Sequence, residues 1–100
     1  MHKFTLTCCA LLCVALAFGQ ELVKRGDKAM GAYKFAKAAS IYKKAVDADP
    51  KNIVALEKLG NALRLSGDYQ SAEAIYKLLM ANPLTTPLSK FYYGQVLVVN

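Results

Sequence analysis

Histidine and cysteine, the side chains that most readily support nucleophilic catalysis or bind metals, are confined to the start of this 100-residue chain. Its seven acidic residues form no pair suited to acid–base chemistry, and no glycine-rich phosphate loop is present. Because neither a nucleophile–base pair nor a metal-binding set can be assembled, we predict no catalytic residue, no metal site and no cofactor. The protein is therefore not expected to be an enzyme. The histidine and cysteines are His2, Cys8, Cys9 and Cys13.

Two polar residues, Asn61 and Arg64, are spaced one helical turn apart within a segment of helical periodicity. Residues at this spacing project from the same side of a helix, where they can hold a peptide carbonyl or carboxylate. The alternative is that both are ordinary surface residues. The surroundings of Glu57 are also left undecided by the sequence, since its side chain can face Lys58 or Asn61, or simply solvent.

The first nineteen residues have the layout of a secretory signal peptide. A short basic start precedes the apolar run 4–18, and small residues follow at the spacing that signal peptidase requires. We predict cleavage after Gly19, with Ala17 as the second choice. The run is shorter than the roughly 20 residues of a spanning helix, which argues against a membrane anchor. The cysteines lack the preceding small residue of a lipoprotein site, and their removal leaves the mature chain to fold without disulfides.

The mature chain is moderately basic. Thirteen basic and seven acidic residues give the whole chain a net charge of +6, and loss of Lys3 with the signal lowers it to +5. Such a charge suits an acidic partner, an anionic membrane face or nucleic acid. We expect no nucleic-acid partner, because an exported chain rarely meets one and the lysines are spread along the sequence. The lysines are therefore interpreted as a solvated face.

A 34-residue repeat runs through the mature chain. Gly26, Gly60 and Gly94 are 34 residues apart, and sliding the chain by this period aligns further residues. The series predicts successive units of similar structure. The aligned pairs are Leu22 with Leu56, Phe35 with Tyr69, Ala38 with Ala72, Ile41 with Ile75, Tyr42 with Tyr76 and Lys43 with Lys77.

Each unit is predicted to contain two helices joined by a turn, because apolar residues recur at three- and four-residue steps in both of its halves. In the second unit Gly67 is suited to close the first helix with a positive φ, and Asp68 to cap the next. Asn52 is suited to cap the helix that follows the first unit. Proline disfavours helix at the residue before it, so Pro50 and Pro83 are predicted to end the second helix of each unit.

Glycine recurs where the two helices of a unit are predicted to cross. A glycine inside a helix costs about 1 kcal/mol relative to alanine, so its recurrence indicates a packing purpose. We expect Gly26 and Gly60 to be met by the alanines of the second helix, Ala38 and Ala72. The tyrosine four residues after each alanine would then fill the space between one unit and the next.

These features resemble the tetratricopeptide repeat in period, in helix–turn–helix plan, and in the positions of the small residue, alanine, tyrosine and proline. The segment LEKLGNALRLSGDYQSAEAIYKLLMANP carries the resemblance most specifically. Arg25, Ala29 and Leu79 depart from the usual residues. The resemblance implies an all-α solenoid with two full repeats and the first helix of a third. We predict a signal peptide at 1–19, repeats at 20–52 and 53–86, and the incomplete third repeat at 87–100.

The third unit, PLSKFYYGQVLVVN, supplies only a first helix and has little polar surface. Pro87 suits a helix start, although the valines also allow a strand. The terminal helix of a solenoid is normally polar on its outer side. We therefore expect that this chain is the amino-terminal part of a longer protein, or that a partner covers the helix 88–99.

By the register of the family, the first helix of each unit lines a concave surface that binds a protein or peptide. A carboxylate clamp is not expected, because Val23, Asp27 and Leu88 occupy its positions. The arrangement resembles the amino-terminal repeat module of exported bacterial envelope proteins of the outer-membrane-protein-A type. This implies a scaffold for envelope or secretion-machinery assembly, in the periplasm or in a complex at the outer membrane. The alternatives are a spacer without a ligand and a basic surface for an anionic partner. The candidate groove residues are Asp27, Met30, Glu57, Asn61, Arg64, Leu65, Phe91 and Gln95.

Overall fold

The computed structural model describes the backbone of residues 2–100 and the side chains of residues 17–100. In this part of the chain each helix packs against the next one along the sequence, and α3 also contacts α5. The all-α prediction is confirmed, and the strand alternative for the last segment is wrong, because that segment is helical. The helices are α1 (His2–Gly31), α2 (Phe35–Ala48), α3 (Ile53–Leu65), α4 (Tyr69–Met80) and α5 (Pro87–Val99).

The predicted signal peptide falls mostly on residues whose side chains lie outside the described part of the chain. Helix α1 runs through this segment without a break, and the cleavage site after Gly19 or Ala17 stays a prediction. Within the described residues, no helix is long and apolar enough to cross a membrane.

Side-chain caps begin three of the helices. The Asn52 side chain accepts a hydrogen bond from the Ala55 backbone N–H at 3.2 Å, and the Asp68 side chain accepts one from Ser71 at 3.2 Å. Both caps confirm the predictions, and each satisfies one of the backbone donors that a helix start leaves unpaired. Thr86 caps α5 in the same way, with Pro87 as the first helical residue.

The two α-hairpin turns use different residues for the same backbone conformation. Gly67, between α3 and α4, has a φ of 88°, as predicted. Tyr33, at the matching place between α1 and α2, has a φ of 59°. The left-handed backbone conformation costs glycine little free energy, but it costs a residue with a side chain roughly 1 kcal/mol or more. The first turn is therefore the more strained of the two.

The core is organised around one tyrosine per repeat. Tyr42 of α2 is 1% exposed and lies in one cluster with Leu59 of α3. Tyr76 of α4 is fully buried and lies in another with Val96 of α5. Each tyrosine thus joins its own unit to the next, which confirms that they fill the space between units.

The repeated glycines make room for these tyrosine rings. A Cβ added to Gly26 would lie 2.3 Å from Cε1 of Tyr42, and one added to Gly60 would lie 2.9 Å from Cε1 and Cζ of Tyr76. The atoms nearest to both Cβ positions belong to the tyrosine rings and not to the alanines named in the prediction. The face of an aromatic ring can contact a helix backbone only where no Cβ intervenes.

We predict that Gly26→Ala destabilises the chain by up to about 2 kcal/mol. The alanine gains about 1 kcal/mol of helix propensity, but the added Cβ would lie 2.3 Å from a buried ring, and such overpacking typically costs about 1–3 kcal/mol. Gly60→Ala should have a smaller effect, since the Cβ is less crowded. Urea denaturation, followed by circular dichroism, measures the free energy of unfolding of both variants.

The control is Gly94→Ala in α5, where an added Cβ meets no atom of the described chain within 4 Å outside its own helix. This variant should be as stable as the wild type or more stable. Equal effects at Gly26 and Gly94 would contradict the packing role of the tyrosine ring.

Candidate functional site

Polar side chains join α1, α2 and α3 at one carboxylate. Asp27 of α1 accepts a hydrogen bond from the Tyr42 hydroxyl at 2.5 Å and two from Nζ of Lys58, at 2.7 and 2.8 Å. Burial by itself would raise the pKa of Asp27, but the hydrogen bonds from Lys58 and Tyr42 outweigh it and lower the pKa below its ordinary value. Burial and the adjacent carboxylate raise the pKa of Tyr42. Asp27 is therefore an ionised carboxylate that connects the three helices through hydrogen bonds.

A second carboxylate joins α3 to α5. Glu57 accepts hydrogen bonds from the Thr86 hydroxyl, at 2.5 Å, and from the Ser89 hydroxyl. Ser89 is itself buried. The sequence did not predict these two hydroxyl groups, which come from the residue before α5 and from the first turn of α5.

Arg64 provides the second contact between α3 and α5. Its Nη2 donates to Oδ1 of Asn61 at 2.7 Å, and its Cζ lies 3.8 Å from the centre of the Tyr92 ring, a cation–π distance. Within the described part of the chain, Nε of Arg64 and the hydroxyl of Tyr76 are buried without a hydrogen-bond partner. Burial raises the pKa of Tyr76 to about 12, although the Arg64 charge opposes the rise.

A groove of about 480 Å³, here named the α3–α5 groove, opens beside Arg64. Its walls combine the Arg64 side chain, the exposed Leu65 and the amide of Gln95 with apolar residues of α5. At the opposite end of the same two helices a smaller hollow of about 140 Å³ is lined in part by Glu57 and Asn61. The full lining of the α3–α5 groove is Arg64, Leu65, Tyr69, Gln95, Val96, Val98 and Val99.

A larger groove, of about 750 Å³, lies between α2 and α4. Its floor is formed by Leu59 and Leu63 of α3, and Lys43, Asp47 and Asp68 stand on its walls. Because these charges are of both signs, this groove has no single electrostatic preference.

Four cations surround a hollow of about 290 Å³ on the α1–α2 hairpin, here named the basic hollow. The sequence places these residues apart, and they come together because α2 folds back along α1. Only Arg25 among them forms an ion pair within the described residues, at 3.7 Å from Glu21. The cations are exposed, as predicted, but they are clustered rather than spread. The hollow is lined by Arg25, Lys28, Lys34 and Lys37 together with Ala29, Ala32 and Ile41.

The tetratricopeptide repeat family model matches residues 29–86, more than half of the chain. The chain belongs to the tetratricopeptide repeat family. Such a repeat domain is generally a protein–protein interaction module and is typically non-catalytic. No curated protein and no solved structure matches the chain. In the described residues, no group of three or more histidine, cysteine or acidic side chains is placed to hold a metal ion.

The predicted groove residues of this tetratricopeptide repeat are divided among several places. Arg64, Leu65 and Gln95 meet in the α3–α5 groove, and Glu57 and Asn61 meet in the small hollow. The other three line neither. Asp27 is hydrogen-bonded between helices as described above, Met30 is half-buried against the core, and Phe91 is 61% exposed on α5. Whether these residues bind a partner stays a prediction.

The two repeats differ in how their tyrosine hydroxyls are satisfied, and this difference is testable. We predict that Tyr42→Phe costs about 1.5 kcal/mol or more, because it removes a hydrogen bond to an ionised carboxylate. Tyr76→Phe should cost less than Tyr42→Phe or nothing, because the buried Tyr76 hydroxyl makes no hydrogen bond of good geometry among the described residues and only lies near the Arg64 guanidinium. Thermal and urea denaturation of the two variants, each against the wild type, measure the difference. The same loss in both would contradict the geometry.

Proposed function

We propose that this tetratricopeptide repeat is an exported scaffold that binds a protein segment during assembly in the bacterial envelope or its secretion machinery. The family supports the interaction role, since its repeats typically bind proteins. The signal-like layout of residues 1–19 supports export. Together they favour a partner in the periplasm or in a complex at the outer membrane.

The α3–α5 groove is the observation that carries this proposal. It joins a guanidinium and an amide to the apolar surfaces of Leu65, Val98 and Val99, all three of which are exposed. Its volume lies in the range of sites that hold small ligands or a few side chains, roughly 300–1,000 Å³. Such a groove suits a peptide segment with an apolar side chain next to a carbonyl or carboxylate group.

The outer side of α5 supports a larger assembly. Val98 is 87% exposed and Phe91 is 61% exposed, and exposed apolar patches of this kind mark places where another element packs. Covering of this side by a protein partner is part of the proposal.

We predict that a photo-crosslinking residue at Gln95, in the native cell, captures a protein partner. The same residue at Lys44 of α2, outside the groove, should not. Leu65→Glu should abolish the cross-link, because it places a charge in the apolar wall. Leu78→Glu on α4 is the matched control, since Leu78 is 62% exposed and does not line the α3–α5 groove.

The recovered chain should begin at Gln20 or at Phe18, as peptide mass mapping shows. Recovery from the cytoplasm with an intact start would overturn export. Equal cross-linking at Gln95 and Lys44, or none at either, would favour the alternative in which the repeat is a spacer without a ligand.

The basic hollow supports a second candidate function, in which the repeat binds an acidic protein segment. Its four cations stand around a small apolar floor, so that a glutamate-rich segment can pair with several of them at once. Such binding depends on exposed charges and is strongly screened by salt.

We predict that the double variant Lys34→Glu, Lys37→Glu loses affinity for a fluorescent glutamate-rich peptide at low salt. The control is Lys44→Glu, Lys51→Glu, which makes the same charge change at exposed sites outside the hollow. Fluorescence anisotropy at low and high salt measures the peptide affinity of both double variants. Equal losses in the two variants would show that only the net charge matters and would rule out a defined site.

A further inference from the structure

The positive charge of this chain is concentrated in the α1–α2 hairpin. Residues 24–44 contain seven basic residues and one acidic residue, a net charge of +6, whereas the rest of the sequence contains six basic and six acidic residues and is neutral. The one acidic residue of the hairpin, Asp27, is held by Lys58 of α3. All seven cations are exposed, and four of them line the basic hollow. This hairpin is therefore the part of the chain that attracts anions.

The turn of the hairpin presents an aromatic side chain beside these cations. Tyr33 is 81% exposed and directly precedes Lys34, which lines the basic hollow. The Tyr33 ring meets the Phe35 ring edge to face, with 6.1 Å between the ring centres. A tyrosine has an apolar body and a polar hydroxyl, and such side chains are enriched where a membrane meets water. The turn thus combines the two kinds of side chain that bind a membrane surface.

Tyr33 occupies a backbone conformation that other residue types adopt more easily. Its φ is 59°, and the matching turn of the second repeat uses Gly67. Glycine or asparagine at this position would form the turn with less strain. Because the Tyr33 side chain is exposed, its contribution to the core is small. A strained backbone that carries an exposed aromatic ring indicates that the ring is held for a contact outside the chain.

We propose that the tip of the α1–α2 hairpin, formed by Tyr33 and the basic hollow, binds the surface of an anionic lipid membrane. The Tyr33 ring enters the headgroup region, while Lys34 and Lys37 meet the lipid phosphates. This contact goes beyond the proposed function, because its partner is a lipid surface and not a protein segment.

Two observations favour a lipid surface over an acidic protein segment as the partner of the hairpin. A short acidic segment in the basic hollow pairs with four cations and leaves Lys24, Lys43 and Lys44, which do not line it, without a contact. A charged surface attracts every cation within a Debye length, roughly 8–10 Å at physiological salt. An acidic segment also offers no apolar surroundings to the exposed Tyr33 ring, whereas the headgroup region of a membrane does.

The test places a fluorescent reporter at the hairpin tip. The chain contains no tryptophan, so Tyr33→Trp introduces a single indole. Vesicles of equal parts phosphatidylglycerol and phosphatidylcholine should shift its emission to shorter wavelength, because the ring leaves water. Vesicles of phosphatidylcholine alone should not, at the same lipid concentration. Leu78→Trp is the matched control, since Leu78 is 62% exposed on α4, outside the hairpin, and should show no shift.

This reporter responds only to its own surroundings. Attachment of the chain to a vesicle through the apolar run 4–18 would occur with both kinds of lipid and would not by itself move the emission of an indole at position 33. The lipid concentration that gives half of the shift measures the affinity of the tip for the membrane.

The charge dependence is tested with Lys34→Gln, Lys37→Gln in the chain that carries Tyr33→Trp. Each lost lysine should raise the half-shift lipid concentration roughly fivefold. The control is Lys51→Gln, Lys90→Gln, which removes the same charge at exposed positions outside residues 24–44 and should have a smaller effect. High salt should weaken the shift. Equal effects of the two double variants would show that only the net charge matters and would overturn the proposal.

The role of the ring is tested with Tyr33→Asn. Asparagine tolerates left-handed backbone better than most residues with a side chain, so this variant should keep its urea midpoint or raise it. A clear loss of stability would show that Tyr33 serves the fold and would overturn its assignment to a membrane contact.

Further outcomes separate this proposal from others. Equal emission shifts at positions 33 and 78, equal shifts with the two kinds of vesicle, or no shift at all would overturn it. Reversal of the shift by glycerol phosphate at constant ionic strength would identify a soluble phosphate as the ligand. A shift caused by the glutamate-rich peptide but not by vesicles would assign the hairpin to an acidic protein segment. Failure of the vesicle test with cross-linking at Gln95 intact would leave the proposed function standing.

Discussion

The contact between a tyrosine ring and a glycine backbone is the constraint on which the rest of this structure depends. It draws α2 against α1 and α4 against α3, at Gly26 and Gly60, closer than any residue with a Cβ would permit. Because each ring also packs on the following helix, the same side chain sets the spacing within a unit and between units. The order of the helices and the shape of the grooves between them follow from this spacing.

The polar contacts between first helices determine which side chains remain free to bind. Asp27 is held by Lys58, and Glu57 is held by Thr86 and Ser89. These carboxylates stand where the family register places ligand contacts, yet their oxygens are already used between helices. What remains for a partner is mainly apolar surface, with the guanidinium of Arg64 and the amide of Gln95 at its edge. Affinity at this surface would therefore come chiefly from burial of apolar area.

The sequence predicts those features that depend on local patterns. The caps at Asn52 and Asp68 and the positive φ at Gly67 follow from neighbouring residues, and the helices follow from periodicity. The environment of Glu57 could not be predicted in this way, because its partners lie 29 and 32 residues away and no repeat position marks them. The basic hollow could not be predicted from the sequence for the same reason, because its cations come together only when the hairpin forms. The closest contact of each glycine, the tyrosine ring, was not predicted because the repeat period does not tell which side chain comes nearest to the glycine.

The left-handed conformation of Tyr33 has a consequence for motion. Its counterpart Gly67 adopts this conformation without a steric cost, so the two hairpins of the chain differ in the free energy needed to open them. The least stable segments of a protein open first. The α1–α2 hairpin holds the strained turn and carries the basic hollow. We therefore expect the amide hydrogens beside Tyr33 to exchange sooner than those beside Gly67.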